Sequence, residues 1–279
     1  MKYLCIAVLI NFFISSLAQK FTGQIIDSTE NKPISYVNIG IENRNIGTVS
    51  DENGFFEIEL NEKENNDTIR ISSIGYYEKR YSVKDFMENF YDKGSAKLNL
   101  VPRSYPISQV LVTSKAPKFI MLGNRITNNH NYILTDSFLG SEIGLIIKIP
   151  NKKKSYLLKD LTFHLAPHRF ATEVRVNVYY LNKSIPAKNI LNEPIYVIIP
   201  SRGEKISVDL SKFNIRVSED FFIGIEHFRE IPSDDKRLKY MGVLSRKSDG
   251  LYRMVSQGEW SQLPSAEIQL IVKTIEYPE

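Results

Sequence analysis

Along this chain apolar residues fall on alternate positions, in short runs broken by polar turns, and that period of two constrains the fold more than any other feature. In "FFEIEL" (55–60), Phe56, Ile58 and Leu60 share one side while Phe55, Glu57 and Glu59 share the other. Val174, Val176 and Val178 alternate with Glu173, Arg175 and Asn177, and Ile206, Val208 and Leu210 repeat the pattern. Successive side chains of a strand point to opposite faces, so each run predicts a strand with one buried and one solvated face. Only "VKDFMENFYD" competes as a helix.

The runs form two sets. Seven lie between Phe21 and Val101: "FTGQIID", "SYVNIGIE", "IGTVS", "FFEIEL", "DTIRISSI", "YYEKRYSV" and "AKLNLV". Eight or nine more follow Glu142, from "IGLIIKI" to "AEIQLIVKTI". Between them, "VPRSYPISQVLVTSKAPKFIMLGNR" holds three prolines and one β-like segment, "QVLVT". The expectation is an all-β chain of two sandwiches. A small antiparallel seven-stranded sandwich, Ig-like in layout, occupies 19–103, a linker 104–130, and a jelly-roll-like sandwich 131–279.

The first eighteen residues read differently. Lys2, an apolar run from Tyr3 to Ile14, and "SSLA" before Gln19 have the layout of a secretory signal peptide, with cleavage expected before Gln19. The run is shorter than the ~20 residues a membrane span needs. Export to the periplasm, outer membrane or cell surface is therefore expected, with no transmembrane segment after cleavage. The sole cysteine, Cys5, would leave with the signal, so no disulfide is available. The net charge of +4 is small and scattered. Its one tight run, Lys152 to Lys154, reads as a solvated loop, and no nucleic-acid partner is expected.

Candidate chemistry is sparse. "SDENG" (50–54) precedes "FFEIEL"; Asp51 and Asn53 can bind their own backbone and Gly54 can take positive φ, which predicts a turn, since the spacing lacks the distant Glu of a calcium loop. "HFRE" supplies His227 and Glu230 at a zinc-peptidase spacing, but no histidine follows. The alternation Ile223, Ile225, His227 places that imidazole on the apolar face. His164 and His168 in "HLAPH" are about 13 Å apart on an extended chain at ~3.3 Å per residue, with Pro167 between them. Nucleophile elbows and Gly-rich phosphate loops are missing. Catalytic, metal and cofactor residues are accordingly expected to be none, and the chain is expected not to be an enzyme. The alternative is a carbohydrate-active or other hydrolase using strand carboxylates of the second sandwich, Asp209, Glu226 and Glu267 being the candidates. Tyr179, Tyr180, Phe221, Phe222, Tyr252 and Trp260 are expected as core or rim packing rather than as a ligand platform.

One stretch carries more. Gly23 and Asp27, Pro33 and Ile34, Val37 and Asn38, Gly47, Thr48, Asp51, Gly54 with Phe55 or Phe56, and Ile74, Gly75 and Tyr76 stand at spacings that resemble the carboxypeptidase-regulatory-like domain, over about residues 20–101. That family is transthyretin-like, is abundant in exported proteins of Bacteroidetes, and forms N-terminal extensions of TonB-dependent outer-membrane receptors. The resemblance implies a non-catalytic accessory module whose partner is an envelope protein or a glycan. A receptor barrel of roughly 22 strands would need more chain than follows, so a whole receptor is not expected.

Overall fold

The computed structural model describes residues 18–90, 96–104, 118–124, 131–134, 138–202, 204–229, 238–245 and 248–277. The expected signal peptide up to residue 17 with Cys5, the segment "QVLVT" and Glu230 lie outside the described residues.

All seven N-terminal runs become strands: β1 Gln19–Asp27, β2 Asn38–Ile41, β3 Gly47–Val49, β4 Phe55–Leu60, β5 Thr68–Ser72, β6 Lys79–Ser82 and β7 Ala96–Leu100. They form two sheets, in the orders β4-β1-β7 and β3-β2-β5-β6. The pairing of β1 with β7 is parallel, and the others here are antiparallel. Alternation sets the register. Phe21 faces Ile58 and Gly23 faces Phe56, so the inward side chains of β1 and β4 meet those of β2 and β5 (Ile39, Ile41, Ile69, Ile71) in one core. The one competing helix forms as α1, Val83–Phe90, between β6 and β7. The Ser82 hydroxyl accepts from Asp85 N and caps it, and Val83, Phe86 and Met87 close the open end of the core.

The spaced residues of the first third converge on each other. The Asp27 carboxylate accepts Thr29 N, Glu30 N and the Tyr76 hydroxyl (2.6, 2.9 and 3.0 Å). Burial and Asp27 together push the Tyr76 hydroxyl up to about 12. "SDENG" is the expected turn: Asp51 Oδ1 accepts Asn53 N and Phe55 N (2.9 and 2.8 Å), and Gly54 sits at φ 75°. A Cβ on Gly54 would stand 2.6 Å from the Ile25 carbonyl oxygen. Gly54→Ala should therefore cost about 1–3 kcal/mol, more than Asp51→Ala, because it combines a disfavoured φ with a backbone collision. Urea unfolding of both variants, with and without calcium, checks this; a calcium-dependent gain in the wild type that Asp51→Ala abolishes would contradict the turn.

The rest of the chain gives β8 Lys118–Gly123, β9 Asn131–Leu134, β10 Glu142–Ile147, β11 Ser155–His164, β12 Thr172–Asn182, β13 Ile185–Asn189, β14 Ile195–Ile199 and β15 Lys205–Asp209. After these come β16 Arg216–Val217, β17 Phe221–Glu226, β18 Lys239–Leu244, β19 Gly250–Arg253, β20 Ser261–Gln262, β21 Ala266–Ile268 and β22 Leu270–Tyr277. One sheet runs β13-β12-β17-β10-β19-β20, with β14 also on β12; a second runs β15-β11-β22-β8, with β16 on β11; a small third runs β21-β18-β9. The chain crosses repeatedly between the two large sheets, and Leu145, Val176 and Ile223 of the first share one core with Leu158, Phe163 and Val272 of the second. The C-terminal unit is thus an antiparallel two-sheet sandwich.

Part of the expected linker is not linker. Residues 118–123 form β8, an edge strand paired with β22 along its whole length, from Lys118↔Glu276 to Gly123↔Ile271. Phe119, Ile120, Met121 and Leu122 are all apolar, which hides the period of two. Only Leu122 is fully buried, while Phe119 and Met121 remain exposed. β13 was also missed, because Pro186 argues against a strand; it is tolerated there because β13 is an edge. Lys152 and Lys154 stand at a turn and pair with Asp220 and Glu276.

Candidate functional site

Four charged residues stand side by side across four neighbouring strands of the large sheet. Arg175 on β12 lies opposite Glu226 on β17, Glu226 opposite Glu142 on β10, and Glu142 opposite Arg253 on β19. Residues opposite one another in a ladder share a face, so the register alone builds an Arg-Glu-Glu-Arg row. The next row holds Asn177, Gly224, Gly144 and Leu251. Glycine inside a strand often marks a close approach, and here a Cβ on Gly224 would stand 2.1 Å from Glu142 Oε1. Gly224 leaves the hollow into which the Glu142 carboxylate folds.

The row is fully buried and densely bonded. Arg175 holds Glu226 through Nε and Nη2, both at 2.9 Å, and Arg253 Nη2 holds Glu142 Oε2 at 2.7 Å. The Asn177 amide bridges the two carboxylates, donating to Glu142 Oε1 at 3.0 Å and Glu226 Oε2 at 2.6 Å. Tyr179 donates to Glu142 Oε2 at 3.1 Å. Burial works against both acids, and the balance of cations separates them. For Glu142 burial prevails over Arg253 and pushes the carboxyl up to about 7. For Glu226, burial is outweighed by Arg175 and Arg253 together, which hold it below the usual range.

This row also joins the two sandwiches. Arg175 Nη1 donates to the Tyr36 carbonyl at 2.8 Å and Nη2 to Asn38 Oδ1 at 2.9 Å. The segment after β19 docks on the β2–β3 turn and on β5: Asn43 N donates to Gln257 O, Gln257 Nε2 to Ser72 Oγ, and Arg70 Nη1 to Gln257 Oε1. Gly40 and Gly47, opposite each other, admit the Ser256 carbonyl; a Cβ on either would lie 2.4 or 2.1 Å from that oxygen. Tyr36 packs against Phe228 and Tyr196 with ring centroids 4.6 and 5.8 Å apart. Beside this seam opens a cleft of about 680 Å³, with Arg175, Asn177, Tyr179, Arg253 and Trp260 on one wall and Asn38, Arg70, Tyr76 and Tyr77 on the other.

Residues 21–101 match the model of the CarboxypepD_reg-like domain. The N-terminal sandwich is a CarboxypepD_reg-like domain. Its β2, β3 and β5 receive the C-terminal sandwich at the seam. No curated protein matches the chain. Among solved structures, the chain is similar to the cysteine protease and lectin-like domains of Cwp84, a surface layer associated protein of Clostridium difficile, at 5% identity and a TM-score of 0.38. That alignment covers 55% of this chain and 37% of the other, so the chain spans little over a third of that structure's length. A structure of infectious bursal disease virus, Gt strain, aligns at 9% identity and a TM-score of 0.25 over 94% of this chain and 65% of the other.

Of the carboxylates singled out from sequence, the structure gathers none with another. Glu226 lies in the row; Asp209, on a different sheet, is exposed and accepts Ser211 N; Glu267, on the small sheet, accepts Asn124 Nδ2 and Asp249 N. The partners of Glu226 were missed. Two signals pointed to them: charged ends on the otherwise apolar strands "EIGLII" and "FFIGIE", and a glycine within each. His227 is buried with Nε2 3.3 Å from the Tyr240 hydroxyl, and burial pushes its imidazole down to about 4. His168 turns its ring nitrogens to the Ala166 and Pro200 carbonyls, and His164 Nδ1 is buried without a partner. Among the described residues no group of three or more His, Cys, Asp or Glu is placed to hold a metal. Phe221, Phe222 and Tyr179 are core, whereas Tyr180 is exposed. Trp260 packs on Phe222 and lies under the Arg253 guanidinium, 5.0 Å from the centroid in each case.

Proposed function

We propose that the protein is an exported, non-catalytic binding or assembly module of the bacterial cell envelope, in the periplasm or at the outer membrane or cell surface, with the cleft beside the seam as its ligand-facing surface. The observation that carries the reading is how the charge row is used. Both carboxylates are buried behind the guanidiniums and the Asn177 amide and are neutralised there, and one guanidinium is committed to the CarboxypepD_reg-like domain. Such a row fixes the geometry of two sandwiches around a cleft. A hydrolase on the same sheet would need Glu142 and Glu226 in contact with substrate, whereas Arg175, Asn177, Tyr179 and Arg253 line the cleft and the two acids do not. No helix among the described residues is long and apolar enough to cross a membrane.

Expression of the full chain in a bacterial host tests the reading in two steps. N-terminal sequencing of the released protein is expected to begin at Gln19; retention of Met1 would remove the envelope assignment. Incubation with chromogenic glycosides and a C-terminally labelled peptide is expected to give no turnover above buffer. Turnover lost in Glu226→Gln, with the melting curve retained, would establish the hydrolase instead.

A further inference from the structure

We infer that the N-terminal sandwich takes an extended basic segment of another protein as an added strand along β4, at a surface that shares no lining residue with the cleft beside the seam. Strand pairing is the first reason. Ile25 N donates to the Gly54 carbonyl at 2.9 Å, so in the antiparallel ladder Gly54, Phe56, Ile58 and Leu60 turn their backbone groups to β1. Phe55, Glu57 and Glu59 turn theirs the other way. Phe55 is met there by Asp51, whose N donates to the Phe55 carbonyl at 2.8 Å and whose Oδ1 accepts Phe55 N. Glu57 and Glu59 meet no strand, because β4 is the last strand of its sheet among the described residues. Their outward N–H and C=O groups stand at the spacing of a strand, which is what strand addition uses.

The surface beside these groups is the second reason. A hollow of about 700 Å³ and one of about 400 Å³ run along β4 and meet at Thr48 and Glu57, which line both. β3, itself the last strand of its sheet among the described residues, forms the facing wall. The groove follows β4 from Phe55 to Leu60, about 17 Å at ~3.3 Å per residue, enough for an extended segment. At the end nearer the seam, Tyr36, Phe55, Leu139 and Phe228 make it apolar.

Charge selects the occupant. Asp51, Glu52, Glu57, Glu59 and Glu64 line the groove, and Arg229 is the one cation among its described lining residues. Arg229 is already held by Glu52 and Glu173, and Lys20, opposite Glu59 in the ladder, reaches Glu57 at 2.8 Å. Acid is therefore in excess. Side chains directly opposed across a ladder attract when their charges differ and repel when they match. An antiparallel pairing of two β4 edges through both residues would set Glu57 and Glu59 against the same acids of the copy, so a second copy of this chain is disfavoured. A segment with Lys or Arg at every second position is matched to the edge, with an apolar residue beyond them for the aromatic end.

Fluorescence anisotropy of the full chain with a fluorescein-labelled peptide amide, Thr-Lys-Val-Lys-Val-Phe, tests this. Run antiparallel to β4, the peptide sets its two Lys against Glu59 and Glu57 and its Phe toward the aromatic end. Saturable binding is expected, weakening with salt. The same peptide with Glu for both Lys should bind at least about ten-fold more weakly. N-methylating the two Lys amides, which face β4 in this register, should also weaken binding at least about ten-fold, whereas N-methylating the two Val amides should weaken it less than about two-fold. Glu59→Lys, at an exposed position, should weaken binding about ten-fold with the melting curve retained. Absence of saturable binding, equal binding of the Glu peptide, no difference between the two methylation patterns, or Glu59→Lys binding as wild type would overturn the inference. The methylation patterns decide it if Glu59→Lys does not fold. A dimer of the peptide-free chain that Glu59→Lys disperses would also overturn it, placing a second copy in the groove instead of another protein.

Discussion

Arg175→Ala is expected to destabilise the protein by about 3–5 kcal/mol, the range for removing one partner of a buried ion pair. The guanidinium is 3% exposed and holds both oxygens of Glu226, the Tyr36 carbonyl and Asn38 Oδ1. Without it Glu226 keeps Asn177 at 2.6 Å and Arg253 at 3.9 Å, too little to offset the burial of its charge. The seam between the sandwiches loses two hydrogen bonds in the same step. Urea unfolding followed by the fluorescence of Trp260, the only tryptophan, should show an earlier transition. The double variant Arg175→Met/Glu226→Gln should recover part of the loss, since it removes the charge along with its partner. A single-variant loss below about 1 kcal/mol would mean that the row is solvated and does not hold the seam.

The second large effect is a loss of stability in acid that traces to His227. Burial lowers its folded-state value to about 4, from the ordinary 6.5. The unfolded chain therefore binds the proton first as pH falls. The stability that His227 contributes is fully present above pH 6.5 and is lost as pH falls through about 4, roughly 3 kcal/mol over that window. Glu142 acts in the opposite sense. Its raised carboxyl favours the fold below the ordinary 4.5, and that contribution is lost as pH rises through about 7. Glu226, held low, favours the fold above 4.5 and weakens it in stronger acid. Subtracting the unfolding free energy of His227→Phe from that of the wild type at each pH removes the contribution of the two acids. The difference should fall by roughly 3 kcal/mol between pH 6.5 and 4; a flat difference would mean that the imidazole charges inside the fold. The lost contact with the Tyr240 hydroxyl adds an offset that does not vary across this range, because burial keeps that hydroxyl protonated.

Much of the fold was legible because it is written locally. Phe56, Ile58 and Leu60 are buried and Phe55, Glu57 and Glu59 exposed, as the alternation of "FFEIEL" requires. The turn at Asp51 and Gly54 was legible for the same reason: its hydrogen bonds join residues no more than four apart. The strand β8 was not, since four apolar residues in succession carry no period and a nearby proline suggests a loop. The charge row was half legible. Glu226 stood out as a strand carboxylate, but it was read as facing solvent or substrate, because a charge on an alternating strand is by default on the wet side.

What the sequence determined by itself is the strand content, the grouping of strands into two sets, the domain family of the first set and the absence of nucleophile and phosphate-loop motifs. Each depends on residues close together in the chain, where the period of a strand and the chemistry of a turn act directly. Only the tertiary structure decided that Glu142, Arg175, Glu226 and Arg253 form one row, that Gly224 makes room in the sheet for the Glu142 carboxylate, and that Arg175 reaches across to Tyr36 and Asn38. Those contacts join residues between 51 and 139 positions apart. Their register is set by which strands become neighbours, and that depends on how the whole core packs rather than on any local pattern. Ion pairing in turn depends on burial: the same four side chains in water would be ordinary solvated charges, and it is their removal from water across four strands that binds them to each other and to the neighbouring sandwich.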